Sequence, residues 1–116
     1  MNVDEWKSQL KRGILEYSIL LLIKTKSYYG YEIISEISQW DIIAAKESTV
    51  YPLLRRLEKE HYLASMWKDS VEGLPPRKYY MLTDKGKEYV ALMSNEWGAL
   101  VGVIHELQNR EEENNG

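Results

Sequence analysis

The side chains with the clearest chemical potential are hydroxyl and basic groups that recur around residue 50. Ser48, Tyr51, Arg55 and Lys59 follow one another at spacings of three, four and four residues, which places them on one face of a helix. Hydroxyls donate hydrogen bonds to phosphate oxygens, Arg and Lys neutralise phosphates, and an arginine can read a guanine edge. The pattern therefore predicts a nucleic-acid surface on this helix.

The helix that carries these groups is predicted over residues 48–60. Ser48 is the expected N-cap, and Pro52, which lacks a backbone donor, is expected in or near the first turn. The opposite face is apolar and predicts burial against the core; its members are Val50, Leu53, Leu54 and Leu57.

Basic residues are concentrated in the middle of the chain. The 116 residues carry a net charge of −3, yet residues 46–87 hold nine Lys or Arg against six Asp or Glu, and the segments on both sides are net acidic. Such a distribution can focus attraction for phosphate on one surface. The pair Arg77-Lys78 lies in this basic segment.

Enzymatic and metal chemistry are not indicated. The chain has no cysteine, and its two histidines, His61 and His105, fall in separate predicted elements. Neither a phosphate-binding glycine loop nor a metal-ligand spacing is present. We therefore predict a protein that is not an enzyme and uses no metal and no cofactor.

Size and hydropathy predict one soluble domain. The longest apolar run, residues 19–23, is far shorter than the ~20 residues of a membrane span, and the first residues do not resemble a signal peptide. We expect a cytoplasmic protein without membrane contact.

The periodicities predict helices over 4–24, 31–39 and 48–60, then a hairpin of strands 62–68 and 77–83, and a final helix that Thr83 caps. Gly30 is expected to supply unusual backbone angles in the break after the first helix. This order predicts a mainly α fold with a small β-hairpin (α+β). A winged helix-turn-helix would span residues 4–87, a C-terminal dimerisation helix 84–109 and a flexible tail 110–116.

The first and last helices carry more apolar surface than one core needs. The first has two apolar stripes, which suit either a central core helix or a helix shared with a second subunit. The last has an apolar residue about every 3.5 positions, as in paired helices. We predict a homodimer whose interface includes Trp6, Leu10, Met93, Trp97, Leu100, Ile104 and Leu107.

Several spaced motifs together resemble the PadR family of winged-helix transcriptional regulators. They are the run at 48–58 (STVYPLLRRLE), Trp67, Gly73, the run at 77–83 (RKYYMLT) with Gly86, and YGYEI at 29–33. The resemblance implies a dimeric repressor of double-stranded DNA, and the short C-terminal part resembles the second subfamily, which includes multidrug-efflux regulators. With the pattern above, it assigns DNA contacts to Tyr31, Lys46, Ser48, Thr49, Tyr51, Pro52, Arg55, Lys59, Arg77 and Lys78.

The same resemblance implies a flat aromatic or hydrophobic effector held at the position of Trp97, with Met93 beside it. Trp97 alternatively only packs the dimer interface. Two departures from the family pattern affect the wing: His61 stands where a glycine is common, in a left-handed helix cap, and Leu74-Pro75-Pro76 stiffens the loop.

A protein-interaction adaptor is the alternative function. DNA binding predicts cations that converge from the helix and the hairpin on one side, whereas an adaptor predicts an apolar patch there.

Overall fold

The computed structural model describes the backbone of residues 2–114 and the side chains of residues 2–110. The elements in chain order are α1 (Val3–Thr25), β1 (Tyr28–Tyr29), α2 (Gly30–Ile37), α3 (Glu47–Lys59), β2 (Leu63–Lys68), β3 (Arg77–Leu82) and α4 (Asp84–Asn114). The predicted α+β winged helix is confirmed. Within residues 2–114, none of the helices combines the length and the hydropathy that crossing a bilayer requires.

The sheet has one strand more than the sequence predicts. β3 lies in the centre and pairs antiparallel with β2 on one side and β1 on the other. In β1, Tyr28 pairs with Tyr80 and Tyr29 with Tyr79. A strand of two residues has no alternation to recognise, so its sequence indicates only the break after α1.

The core lies where α1, α2, α3 and the sheet meet. The predicted stripe of α1 that contains Leu15, Ile19 and Ile23 is buried in it, and the predicted apolar face of α3 belongs to the same buried cluster. Burial of each such aliphatic side chain contributes roughly 1.5–3 kcal/mol. The buried side chains are Leu15, Ile19, Leu20, Ile23, Tyr28, Ile33, Ile37, Val50, Leu54, Leu57, Leu63, Tyr80 and Val90.

The start of α3 differs from the prediction. Lys46, in an extended conformation, is the N-cap, and Ser48 lies inside the first turn rather than at the cap. The backbone amides of Thr49 and Val50 both donate to the Lys46 carbonyl, at 2.9 and 3.0 Å. Pro52 therefore lies one turn into the helix, where its missing N–H leaves the Ser48 carbonyl without its helical partner.

The end of α3 has a left-handed residue at the position where the family pattern has a glycine. His61 has a φ of 67°, and the Tyr62 amide donates to the Leu57 carbonyl at 2.9 Å while the His61 amide donates to the Glu58 carbonyl at 3.0 Å. These two bonds form a Schellman cap, which a glycine would adopt with less strain.

Thr83 caps α4 as predicted, because its Oγ1 accepts a hydrogen bond from the Gly86 amide at 2.9 Å. Gly86 lies so close to the end of α3 that a Cβ there would be 2.1 Å from the Tyr62 carbonyl oxygen. α4 continues to Asn114, past the predicted end at residue 109. The predicted flexible tail thus begins within this helix, and residues 115–116 lie outside the described residues.

Gly30 is needed for a different reason from the predicted one. Among the described glycines, Gly73 is the one with a positive φ. Gly30 instead begins α2, and a Cβ on it would be 2.4 Å from Cε1 of the Tyr51 ring. The glycine therefore allows α3 to approach the start of α2.

Candidate DNA-binding surface

The outer face of α3 carries the side chains that the helical spacing places there. Ser48, Thr49, Pro52, Arg55 and Lys59 are exposed, and the inner face of the same helix is buried in the core. α3 is thus amphipathic in the predicted orientation, with its polar groups available to a partner.

Three cations at this surface are not neutralised by neighbours. Lys46, Arg55 and Lys59 are exposed and form no ion pair with any side chain among residues 2–110. Arg56, by contrast, pairs with Glu16 at 3.3 Å and with Glu60 at 3.2 Å. Unpaired cations keep their full attraction for phosphate.

The wing and the helix-turn-helix meet at a shallow depression of about 260 Å³. Tyr31 from α2, Tyr51 from α3 and the Arg77-Lys78 pair from β3 all line it. Partial burial there raises the pKa of the Tyr51 hydroxyl, with a smaller contribution from Glu47. Residues predicted from three separate segments are therefore brought together.

Arg77 is held against an aromatic ring. Its guanidinium carbon lies 4.5 Å from the centroid of the Tyr29 ring, and Lys68 Nζ lies 4.6 Å from the Tyr79 ring. The two rings are neighbours, with centroids 5.6 Å apart. Cation–π contacts of this kind restrain a cation without neutralising it.

Lys78 differs from the other predicted cations because it already faces a carboxylate. Its Nζ donates to Glu58 Oε1 at 2.9 Å, and Glu58 Oε2 accepts a hydrogen bond from Ser65 Oγ. The Ser65 and Lys78 hydrogen bonds hold the pKa of Glu58 below its usual value, although burial opposes them. The bond to Glu58 likewise raises the pKa of Lys78.

Four residues that line the depression are not predicted from the sequence as site residues, namely Tyr29, Gly30, Trp67 and Tyr80. Trp67, 68% exposed, and Tyr29 line the same depression as Tyr31 and Tyr51. The register could have indicated Trp67, since it pairs with Lys78 and cross-strand partners share a face.

A second surface is an apolar groove of about 1050 Å³ between α1 and α4. Six of the seven residues predicted at the dimer interface line it, and Leu107, 51% exposed, is not among its lining residues, although the adjacent Gln108 is. The other predicted stripe of α1, which contains Trp6, Leu10, Ile14 and Tyr17, therefore faces this groove. The six are Trp6, Leu10, Met93, Trp97, Leu100 and Ile104.

Aromatic side chains form the floor of the groove. The Tyr17 hydroxyl hydrogen-bonds Ser94 Oγ at 2.9 Å, and the Tyr17 ring lies 6.1 Å from the ring of Trp97. Tyr89 stacks on Tyr62 at 4.4 Å, and burial raises its pKa. Trp97 remains 41% exposed, so its ring is available to a ligand or a second subunit.

No metal-binding group is found in the described part of the chain. Within it, no three His, Asp or Glu side chains are close enough to hold an ion. The chemistry of the α3 and wing surface is that of hydrogen bonding and charge.

Comparisons with known proteins agree with this architecture. The family model described as "Transcriptional regulator PadR-like family" matches residues 19–92. An uncharacterized protein of Lysinibacillus sphaericus is 38% identical over 100 residues, which cover 84% of this chain and 91% of that protein. The negative transcriptional regulator PadR of Bacillus subtilis is 35% identical over 81 residues, covering 65% of this chain and 42% of the relative.

Solved structures give the same result. A PadR family transcriptional regulator of Eggerthella lenta superimposes with a TM-score of 0.80 at 32% identity, and the match covers 91% of each chain. A PadR-like transcriptional regulator of Bacillus cereus gives 0.78 at 35% identity, covering 86% of this chain and 96% of the other. The chain belongs to the PadR-like family of transcriptional regulators.

Proposed function

We propose that the protein is a homodimeric repressor that binds a pseudo-palindromic operator, with α3 in the major groove and the wing on the adjacent backbone. The exposed, unpaired cations on the outer face of α3, the helix whose Tyr51 lines the same depression as Arg77 of the wing, carry this proposal. A major groove is wide enough to admit a helix. Repression is favoured because the relative from Bacillus subtilis is described as a negative regulator.

The side chains divide into phosphate contacts and base contacts. Lys46, Lys59 and Arg77 neutralise phosphates, and Arg55, near the middle of the exposed face of α3, is the candidate for a guanine edge. The hydroxyl and ring groups fix the helix on the backbone; these are Tyr31, Ser48, Thr49 and Tyr51, with Pro52 packing beside them.

Dimerisation is proposed through the α1–α4 groove. Leu100 and Ile104 are each about half exposed, at 52% and 47%, and they continue the line of Trp97 along α4. Apolar surface of this extent marks an interaction site. A second α4, with the same repeat, fits the groove through a two-fold axis.

Replacement of Arg55 tests the DNA surface. We expect Arg55→Ala to weaken binding to duplexes selected from a random library by about 10- to 100-fold, and Arg110→Ala, on α4, to leave it unchanged. Equal affinity of the two variants in a gel-shift titration would contradict the assignment. Affinity should also fall steeply with salt despite the acidic pI, because local phosphate contacts release counterions.

An effector site is the second part of the proposal. The groove volume and the exposed ring of Trp97 favour a flat hydrophobic compound, as the family resemblance implies. A planar aromatic dye should quench tryptophan fluorescence and lower DNA affinity. A Trp97→Ala variant that keeps both responses would remove Trp97 from the site.

A protein-interaction adaptor is favoured by one observation. Tyr31 and Trp67, 58% and 68% exposed, place large rings beside the cations. An adaptor would bind no duplex at any salt concentration, so the same titration separates the two functions.

A further inference from the structure

We propose that Glu58 is a positioning residue that fixes the angle of the wing to α3 by binding Ser65 and Lys78, and that Lys78 acts through Glu58 instead of binding phosphate. We call these three residues the wing bridge. The inference refines the proposed DNA-binding function and rests on it.

The two carboxylate oxygens of Glu58 bind different strands. Oε1 accepts from Lys78 Nζ of β3 at 2.9 Å, and Oε2 accepts from Ser65 Oγ of β2. Lys78 pairs with Trp67 across the strands, and cross-strand partners share a face of the sheet. Ser65 is two residues from Trp67 in β2, so Ser65 and Lys78 lie on the same face. The Glu58 side chain, in the last turn of α3, therefore binds both strands of the hairpin.

The wing bridge lies where the hairpin begins to extend beyond the core of the protein. In β2, Leu63 is buried and Ser65 is half-buried, whereas Met66, Trp67 and Lys68 are exposed. Beyond Ser65 the strand extends for three residues, or about 10 Å, before the loop begins. A small rotation at Ser65 would thus displace the tip by several times the movement at the bridge.

The surroundings of Lys78 do not suit a phosphate contact. The Glu58 and Lys78 side chains are each only 30% exposed, and Lys78 Nζ also lies 5.3 Å from the Tyr80 ring centroid. A phosphate would have to displace the carboxylate and leave Glu58 partly buried without its ion pair. Lys59, one residue after Glu58, is exposed and free of such a partner, so it provides a matched comparison.

Glu58→Gln distinguishes a positioning role from a direct DNA contact of Lys78, because the two roles predict opposite changes in DNA affinity. If Lys78 bound DNA, Glu58→Gln would release it and remove a negative charge, so affinity would rise. If the wing bridge positions the hairpin, Glu58→Gln and Lys78→Met should each weaken binding about tenfold. The double variant should be no weaker than the single ones, because both changes break one unit.

The salt dependence of binding supplies an independent readout. Lys59→Met should reduce the slope of log K against log salt by about 0.9 for each lost phosphate contact. Lys78→Met should lower affinity at every salt concentration and leave the slope unchanged. A slope reduced as in Lys59→Met, or tighter binding by Glu58→Gln, would overturn the proposal.

Amide hydrogen exchange of the free protein separates this inference from the proposed function. Amides of residues 63–68 and 77–82 should exchange several-fold faster in Glu58→Gln and Lys78→Met than in wild type or Lys59→Met. Unchanged exchange in both bridge variants would refute positioning, whether or not the protein binds DNA. A wild-type protein that binds no duplex would refute the proposed function alone.

Discussion

The α3–wing surface and the α1–α4 groove differ in the chemical type of their side chains. The first combines unpaired cations with hydroxyls and rings, and its members are held by hydrogen bonds and cation–π contacts. The second is a row of half-exposed aliphatic and aromatic side chains on α4 opposite α1. The difference indicates two kinds of partner, since charge and hydrogen bonding suit phosphate, whereas apolar area suits a like surface.

The largest effect is expected on dimer dissociation, when a charge is placed in the α1–α4 groove. Leu100→Glu would place two carboxylates in the groove of a symmetric dimer, which should raise the dimer dissociation constant about 100-fold or more. Ala99→Glu adds the same charge at an exposed neighbour outside the groove and should leave the dimer intact. Sedimentation velocity measures both, and equal masses for the two variants would place the interface elsewhere.

An intermediate effect is expected at the contact between α2 and α3. In Gly30→Ala the new Cβ must displace the Tyr51 ring, so the free energy of unfolding should fall by about 1–3 kcal/mol and DNA affinity should fall with it. At Gly102 a Cβ would meet no atom within 4 Å.

Gly102→Ala is therefore the control, and it should stabilise α4 by about 0.5–1 kcal/mol. Chemical denaturation of the two variants compares the regions directly. If Gly30→Ala unfolded at the same denaturant concentration as wild type, the Tyr51 ring would have adapted to the added methyl group.

The smallest effect is the pH dependence of the wing bridge. The pKa of Glu58 in the folded protein lies below the ordinary value of 4.5, so its contribution to stability is present above 4.5 and is lost as the pH falls through the lower folded value. The difference in unfolding free energy between wild type and Glu58→Gln, below about 1 kcal/mol, should therefore shrink in acid. If the difference in unfolding free energy grew below pH 4.5, the pKa of Glu58 would be raised in the folded protein and not lowered.

Local periodicity was sufficient for the order of the four helices and of β2 and β3, and for the buried faces of α1 and α3. Each of these helices has a repeating apolar stripe whose burial decides its orientation. The left-handed backbone at His61 lies where the family resemblance implies a glycine in a helix cap.

Features that depend on distant contacts could not be read in the same way. β1 exists because Tyr28 and Tyr29 meet a strand about 50 residues later. The requirement for Gly30 comes from the Tyr51 ring, and the partner of Lys78 in β3 is Glu58 of α3. In each case the missing information is the packing of one element on another, which the spacing of residues along the chain does not contain.

The first helix belongs to both regions. Glu16 reaches α3 through Arg56, while the very next residue, Tyr17, reaches α4 through Ser94. Under the proposed function, a genetic screen for loss of repression would therefore recover two kinds of α1 variant. Their location in the chain alone would not reveal whether pairing of the subunits or contact with the operator had failed.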